Sequence, residues 1–212
     1  MTATRPLPTQ PTTDGLDAYL SYIRSVNPAG LQVWTSRTEL EFCEAVERAV
    51  EFGIRDIEEG ARVYNKLDEP GLSLMLTKFL ECGGIPAIAE GYHNGHVDVT
   101  VRHPADIFPK VLGECKKWDG FKYHCQGCDQ LLNRYESGRA HRGFCLEFLF
   151  VPGMYQKLQD LRAEFDRQQP HEQQKPSAEH WIKGAFVTVH LHFTGTTVEI
   201  LHLGCNVYHP DS

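Results

Sequence analysis

Two carboxylates and a lysine lie on neighbouring segments of the chain at a spacing suited to phosphate chemistry. Asp98 falls on the polar side of an alternating segment, and Glu114 and Lys116 are two residues apart in the next extended segment. Side chains two apart in a strand project from one face. Carboxylate oxygens suit Mg²⁺ or Mn²⁺, and a lysine can position or help deprotonate water and offset negative charge. The three residues indicate metal-assisted phosphodiester hydrolysis, although an ordinary salt-bridged strand face has the same spacing.

A longer pattern surrounds these residues. The segment Gly113–Gly120 has the sequence GECKKWDG, and Asp129-Gln130-Leu131-Leu132 and Tyr135 follow it. This pattern resembles the PD-(D/E)XK nuclease superfamily, and the resemblance covers roughly Glu69 to Pro152. It implies a restriction-endonuclease-like fold and cleavage of phosphodiester bonds with Mg²⁺ or Mn²⁺ as cofactor.

The resemblance also implies roles for individual residues. The metal-binding acids map to Asp98 and Glu114, and the catalytic lysine maps to Lys116. A helical Gln/Tyr motif, which lies beside the site in the superfamily, maps to Gln130 and Tyr135. Their amide and phenol groups can hydrogen-bond to water or to a phosphate oxygen. All five are therefore candidate catalytic residues.

A third metal-binding acid is expected on the first core helix. It maps to Glu69, with Glu81 and Glu90 as rivals. Several relatives have Gly-Arg-x-Asp where this chain has Gly-His-Val-Asp, so His96 takes the position of a phosphate-facing arginine. The remaining candidates for substrate binding are nearby basic residues, namely Lys117, Lys122 and Arg134.

The formal charge of −7 at first argues against a nucleic-acid partner, because phosphate contacts supply much of that affinity. The charge is unevenly distributed, however. Residues 105–142 contain seven Lys or Arg against five acids, so this stretch is positive and the acidity lies in the flanks. The charge therefore excludes no class of function, but it is not positive evidence for a nucleic-acid partner. The nuclease resemblance implies that partner, with DNA in preference to RNA.

A zinc site is the rival interpretation of the same region. The pair Cys125 and Cys128 is followed by His141 and Cys145 at a spacing known from zinc-binding modules. Under this alternative the chain is a zinc-stabilised module that binds nucleic acid or protein. A catalytically silent relative of the nucleases is a further alternative. The predicted helix between the pairs and the apolar surroundings of Cys145 favour the nuclease.

Hydrophobic periodicity predicts an α/β fold, a restriction-endonuclease-like mixed central sheet flanked by helices, with a helical N-terminal extension. The expected divisions are a flexible N-terminus at 1–15, the helical extension at 16–66 and the nuclease-like domain at 67–212. A turn is expected at Asn27–Gly30, a helix cap at Thr35 or Ser36, and a weak point in the following helix at Gly53. A further helix is expected to begin near Asp68, with Asp68 as its cap and Pro70 in its first turn. Strands are predicted at 85–90, 96–102, 110–118, 143–151, 186–193 and 197–203, and later helices at 121–135 and 156–167.

Composition indicates the compartment and the kinds of partner. The seven cysteines are an odd number without the spacing of small secreted proteins, which favours a reducing, cytoplasmic location. No apolar run approaches the roughly 20 residues of a membrane span. The helical N-terminal region is the expected surface for a homodimer or a partner protein. By analogy with small stand-alone nucleases, bacterial defence or repair is the expected context.

Overall fold

The computed structural model of the chain describes residues 13–92, 96–135 and 137–210. The helices are α1 (Thr13–Val26), α2 (Pro28–Thr35), α3 (Glu39–Glu59), α4 (Ala61–Tyr64), α5 (Glu69–Cys82), α6 (Phe121–Gln130) and α7 (Met154–Gln168). A π-helical turn at Leu131–Tyr135 continues α6. The strands are β1 (Ala87–Tyr92), β2 (His96–Val101), β3 (Val111–Lys117), β4 (Arg142–Leu149), β5 (Ala178–Glu179), β6 (Phe186–Leu191) and β7 (Thr197–Asn206).

The strands form one seven-stranded mixed sheet in the order β1-β2-β3-β4-β7-β6-β5. β4 runs parallel to both β3 and β7, and the other neighbours are antiparallel. Parallel neighbours need a crossover connection, and α6 supplies it between β3 and β4. The prediction of an α/β fold with a mixed sheet between helices is confirmed.

Alternation along the central strands divides the core between the two faces of the sheet. Phe144, Leu146 and Phe148 of β4 belong to a cluster with α2, α3 and α5, and we call this side the α3 face. Cys145 and Leu149 belong to a second cluster with α6 and α7, which we call the α6 face. A residue two positions from Cys145 or Leu149, such as Glu147, therefore points to the α6 face.

Helix α3, which precedes the sheet, is unbroken and more deeply embedded in the core than the sequence indicates. α3 begins at Glu39, with the Thr38 side chain accepting the Glu41 N–H, so the expected cap at Thr35 or Ser36 is wrong by two or three residues. α3 also continues through Gly53 without interruption. Its apolar stripe belongs to the same cluster as β3, β4 and β7. The segment predicted as an N-terminal extension thus shares a core with the sheet.

The predicted break after Val26 is confirmed, because α1 ends there and Asn27 is not helical, but residues 28–30 already belong to α2 and form no separate turn. Asn27 caps α2, because its side-chain oxygen accepts the Gly30 N–H at 3.0 Å. Pro28 then occupies the first helical position, where its missing N–H costs nothing. A flexible lead-in was expected at residues 1–15. Residues 1–12 lie outside the described residues, and residues 13–15 are the start of α1. Among the described helices, none is long and apolar enough to cross a membrane.

Substituting Gly53 should destabilise the fold despite improving helix propensity. A Cβ at this position would lie 2.7 Å from Cδ1 of Leu76, where α3 crosses α5. Gly53→Leu should therefore lower the free energy of unfolding by about 1–3 kcal/mol through overpacking. Urea denaturation measures the change. An equal or higher stability would contradict the close approach of the two helices.

Candidate active site

Four of the predicted site residues come together from three separate elements. Glu69 is the first residue of α5, Asp98 lies in β2, and Glu114 and Lys116 lie near the C-terminal end of β3. The Lys116 Nζ is 2.5 Å from Glu114 Oε1 and 3.8 Å from Glu69 Oε1. Glu69 Oε2 accepts the backbone N–H of Lys117 at 2.6 Å, which fixes the start of α5 against the end of β3.

Asp98 is positioned where two strands separate. The pairing of β2 with β3 runs from Val101 opposite Val111 to Val99 opposite Gly113. Immediately beyond it, Asp98 Oδ2 accepts the backbone N–H of Cys115 at 2.8 Å. The carboxylate therefore replaces a ladder bond, and this bond holds it beside the strand that carries Glu114.

The Glu114 carboxyl is buried in a way that ordinary strand-face acids are not. The residue is 2% exposed, and within the described part of the chain its Oε2 has no hydrogen-bond partner. Burial and the negative charge of Asp98 raise the pKa of Glu114 to about 7, against the opposing effect of Lys116. A buried carboxylate with one unsatisfied oxygen is costly unless positive charge compensates it.

Lys116 is held as a cation by its surroundings. Burial alone would lower the pKa of this ammonium, but the hydrogen bond to Glu114 and the negative charges of Glu114, Asp98 and Glu69 raise it well above its ordinary value. Lys116 therefore remains protonated at neutral pH. In this state it donates hydrogen bonds and stabilises negative charge, and it does not accept a proton.

The helix α6 lies directly over this cluster because Gly127 permits a close approach. A Cβ at Gly127 would lie 3.3 Å from Cγ of Lys116 and 3.4 Å from Cγ of Glu114. Beside it opens a cavity of about 560 Å³. It is lined by Lys116, Lys122, Tyr123, Cys125, Gln126, Asp129, Gln130, Arg134 and His171.

The cavity brings three further predicted residues to the site, namely Gln130, Lys122 and Arg134. The structure describes the backbone of Glu90, His96 and Tyr135 but not their side chains. The predicted roles of these three residues therefore lie outside what the structure describes. Gln130 ends α6 one turn after Gly127 and lines the same cavity as Lys116. The cavity thus presents cationic and amide groups and reaches the acid cluster through Lys116.

Two predicted or rival residues lie elsewhere. The Lys117 ammonium is 4.7 Å from the centre of the Phe150 ring, on the α3 face, because neighbouring strand residues point to opposite sides. Lys117 therefore cannot contact a substrate bound at Lys116 on the α6 face, contrary to the prediction from the sequence. Glu81 pairs with Lys78 near the other end of α5, about 18 Å along the helix from Glu69. Of these two acids of α5, Glu69 is the one at the site.

The sequence patterns missed two buried polar residues next to the cluster. Glu147 of β4 is the register partner of Lys116, and Oε1 of its carboxyl group shares a hydrogen bond of 2.7 Å with Nδ1 of His124. Both residues are 1% exposed. Burial raises the pKa of Glu147, and the hydrogen bond with His124 opposes the rise. The sequence does contain one sign of Glu147, because it is the single charged residue inside the apolar run Gly143–Val151.

The four-residue zinc set predicted from spacing is not assembled. The Sγ atoms of Cys128 and Cys145 are 3.6 Å apart. Burial raises the pKa of the Cys128 thiol, and nearby Cys125 adds to the rise. His141 is elsewhere, with Nε2 3.6 Å from Glu199 and its ring largely exposed. It precedes β4, and about 10 Å of extended chain separates the start of that strand from Cys145. The spacing fits zinc-binding modules only when the chain between the ligands turns back on itself.

No model of a protein family, no curated protein and no solved structure matches the chain.

Proposed function

We propose that this chain is a metal-dependent nuclease with a restriction-endonuclease-like core of the PD-(D/E)XK type. The observation that carries the proposal is the convergence of Glu69, Asp98, Glu114 and Lys116 at the end of β3. A solvated, salt-bridged strand face would leave its acids exposed. Here Glu114 is buried with one oxygen unbonded among the described residues, an arrangement that costs stability and is typical of functional sites.

The order of the elements supports the proposal. The resemblance implies an acid on the first core helix, an acid on one strand, the Glu-x-Lys pair on the next strand, and a Gln-bearing helix beside the site. α5, β2, β3 and α6 carry Glu69, Asp98, the Glu114–Lys116 pair and Gln130 in that order. Gly127 lets the last helix lie against the pair.

The residues present fit a divalent cation. Asp98 and Glu114 would hold Mg²⁺ or Mn²⁺, since these hard ions prefer carboxylate oxygens. Glu69 accepts the Lys117 N–H and lies 3.8 Å from the Lys116 ammonium, so it would support the site from outside the ligand pair. The unbonded Glu114 oxygen and the raised pKa of this carboxyl both indicate a deficit of positive charge. When bound, the ion supplies polarisation of the phosphodiester and acidification of an attacking water.

The chain's own side chains would bind and orient the substrate. Lys116, held as a cation, donates to a phosphate oxygen and stabilises charge that develops there in the transition state. Lys122 and Arg134 extend the positive lining of the cavity toward the flanking phosphates, and the Gln130 amide donates to a phosphate oxygen or to water. Such contacts favour a nucleic acid, and the general affinity should fall as salt rises.

The proposal predicts strictly metal-dependent cleavage. The purified chain should cut plasmid, linear duplex, single-stranded DNA or RNA with Mg²⁺ or Mn²⁺, and excess EDTA should abolish the cutting because the carboxylates then lack their cation. Electrophoresis of each substrate over time measures the rate and identifies the preferred nucleic acid. Cleavage that persists in EDTA, or no cleavage of any substrate with either ion, would contradict the proposal. The second outcome favours the catalytically silent alternative.

A further inference from the structure

A second group of metal-binding side chains lies deeper on the α6 face. His124 and Cys128 are four residues apart on α6, so they project from one side of that helix. His202 faces them from β7. One ligand atom from each of the three lies within 4.8 Å of the other two, and all three residues are buried.

Each histidine is oriented by a partner on its outer nitrogen. His124 Nδ1 is 2.7 Å from Glu147 Oε1, and His202 Nε2 is 2.7 Å from Oγ1 of Thr188. The inner nitrogens, His124 Nε2 and His202 Nδ1, are 2.7 Å apart. A carboxylate or hydroxyl that fixes the far nitrogen is the usual support of a metal-ligating imidazole.

The hydrogen-bond chain beyond Thr188 assigns the tautomer of His202. His190 Nδ1 is 3.0 Å from the carbonyl oxygen of His171, so it must donate there. Burial lowers the pKa of His190 to about 4, so the ring is neutral and its Nε2 accepts the Thr188 hydroxyl proton. The Thr188 oxygen then accepts from Nε2–H of His202. A neutral His202 therefore points an unprotonated Nδ1 at the cluster.

We propose that His124 Nε2, Cys128 Sγ and His202 Nδ1 bind a structural zinc ion. Mixed imidazole and thiolate ligands suit zinc and do not suit Mg²⁺. The nearest further sulfur belongs to Cys145, 3.6 Å from that of Cys128. Two sulfur ligands about 2.3 Å from a tetrahedral zinc lie about 3.8 Å apart. Cys145 is not among the three converging ligands, so it would complete the tetrahedron only by moving closer to the two histidine nitrogens.

Protons and charge balance when the ion enters. Without zinc, His124 carries a proton on Nε2 that it donates to His202, and Cys128 carries its thiol proton. Zinc binding through the three ligands releases both protons, while the proton between His124 and Glu147 stays in place. With these three ligands, two positive charges arrive and two leave, so uptake creates no uncompensated charge in the core. Cys145, as a fourth thiolate ligand, would release a third proton and make the region more negative by one charge.

The site differs from the predicted zinc set and from the proposed catalytic cation site. It shares Cys128 and Cys145 with the predicted set but uses His124 and His202 in place of Cys125 and His141. Because its ligands join α6 to β7, zinc would hold in place the helix whose Gly127 lies over Lys116. Zinc binding does not depend on the chain being a nuclease.

Metal analysis of the full chain, purified without a histidine tag and without added nucleic acid, tests the proposal. We expect about one zinc ion per chain. After removal of zinc, one equivalent of Co²⁺ should give the intense visible bands of a tetrahedral site and a near-ultraviolet sulfur-to-cobalt band. A wild-type chain that binds neither ion stoichiometrically overturns the proposal, whatever its nuclease activity.

Matched variants identify the ligands. Cys128→Ser and His202→Gln should lose the zinc, and Cys128→Ser should also lose the sulfur-to-cobalt band. Two control variants, Cys205→Ser and Cys125→Ser, should retain the zinc and the sulfur-to-cobalt band. Cys205 is a buried cysteine on the α3 face, away from the proposed ligands. Zinc lost in Cys125→Ser but kept in His202→Gln would overturn the proposed set. Circular dichroism checks the folding of each variant. If a ligand variant does not fold, the cobalt spectrum of the wild-type chain alone tests the proposed site.

Discussion

Glu114→Gln and Lys116→Met should each lower the rate of phosphodiester cleavage by about 10²- to 10⁴-fold, if the chain is a nuclease as proposed. Glu114→Gln removes the charge that would hold the cation, and Lys116→Met removes the ammonium placed to stabilise the phosphate. The loss should appear in the cleavage rate at saturating substrate, because substrate binding also depends on Lys122 and Arg134. Single-turnover cleavage of an end-labelled substrate with Mg²⁺ measures it.

The folded state should survive both changes, which separates lost chemistry from lost structure. The Glu114 carboxyl already has a pKa near 7 because burial disfavours its charged form, so a neutral amide of the same shape fits the position. In Glu114→Gln, Lys116 retains Glu69 3.8 Å from its ammonium. In Lys116→Met, the Glu114 carboxyl loses the charge that lowers its pKa, so it takes up a proton at neutral pH and leaves no unpaired charge in the core. Glu81→Gln and Lys78→Met change an exposed pair on α5 and should cleave at the wild-type rate. Wild-type cleavage by the Glu114 and Lys116 variants would exclude this site as the catalytic centre.

Arg142→Met should lower the free energy of unfolding by about 3–5 kcal/mol, since it breaks a buried ion pair. Arg142 of β4 bonds to Glu47 of α3 and to Glu199 of β7, and so fastens the helix to the sheet. Glu47 is 5% exposed. Without the guanidinium its charge stays buried, with His180 3.1 Å away as its other partner. Urea denaturation at neutral pH measures the loss.

The effect of Arg142→Met should depend on pH in a defined direction. Burial alone would raise the pKa of Glu47, but hydrogen bonds from His180 and Arg142 and the charge of Arg142 outweigh burial and lower it. A carboxyl with a lowered folded-state pKa stabilises the fold above its ordinary pKa, and this stabilisation is lost as pH falls through the folded-state value. The difference between wild type and variant should therefore shrink in acid.

The control for this prediction is another arginine that pairs with a glutamate. Arg55 of α3 pairs with Glu51 at 2.9 Å, and its side chain is 57% exposed. Arg55→Met should change stability by about 0–1 kcal/mol, because exposed pairs contribute little. Equal losses in the two variants would show that burial of the Arg142 pair has no energetic consequence.

Local pattern in the sequence determined several parts of the candidate site. Alternation placed Glu114 and Lys116 on one strand face, and the structure has both on the α6 face, against Gly127. The cap at Asp68 was also local information, since its side chain accepts the Gly71 N–H and starts α5 at Glu69. Capping and strand alternation depend on residues within a few positions of one another, so a sequence displays them directly.

Tertiary structure alone decided which distant residues join that pair. Glu69 reaches the backbone of Lys117 only because α5 packs where β3 ends. Glu147 meets His124, and His124 meets His202, because β4 lies between β3 and β7 and α6 crosses over them. The spacing of Cys125, Cys128, His141 and Cys145 predicted a zinc set that an extended β4 cannot close. Strand order and helix crossing set such contacts through packing across the whole core, and no local spacing records them.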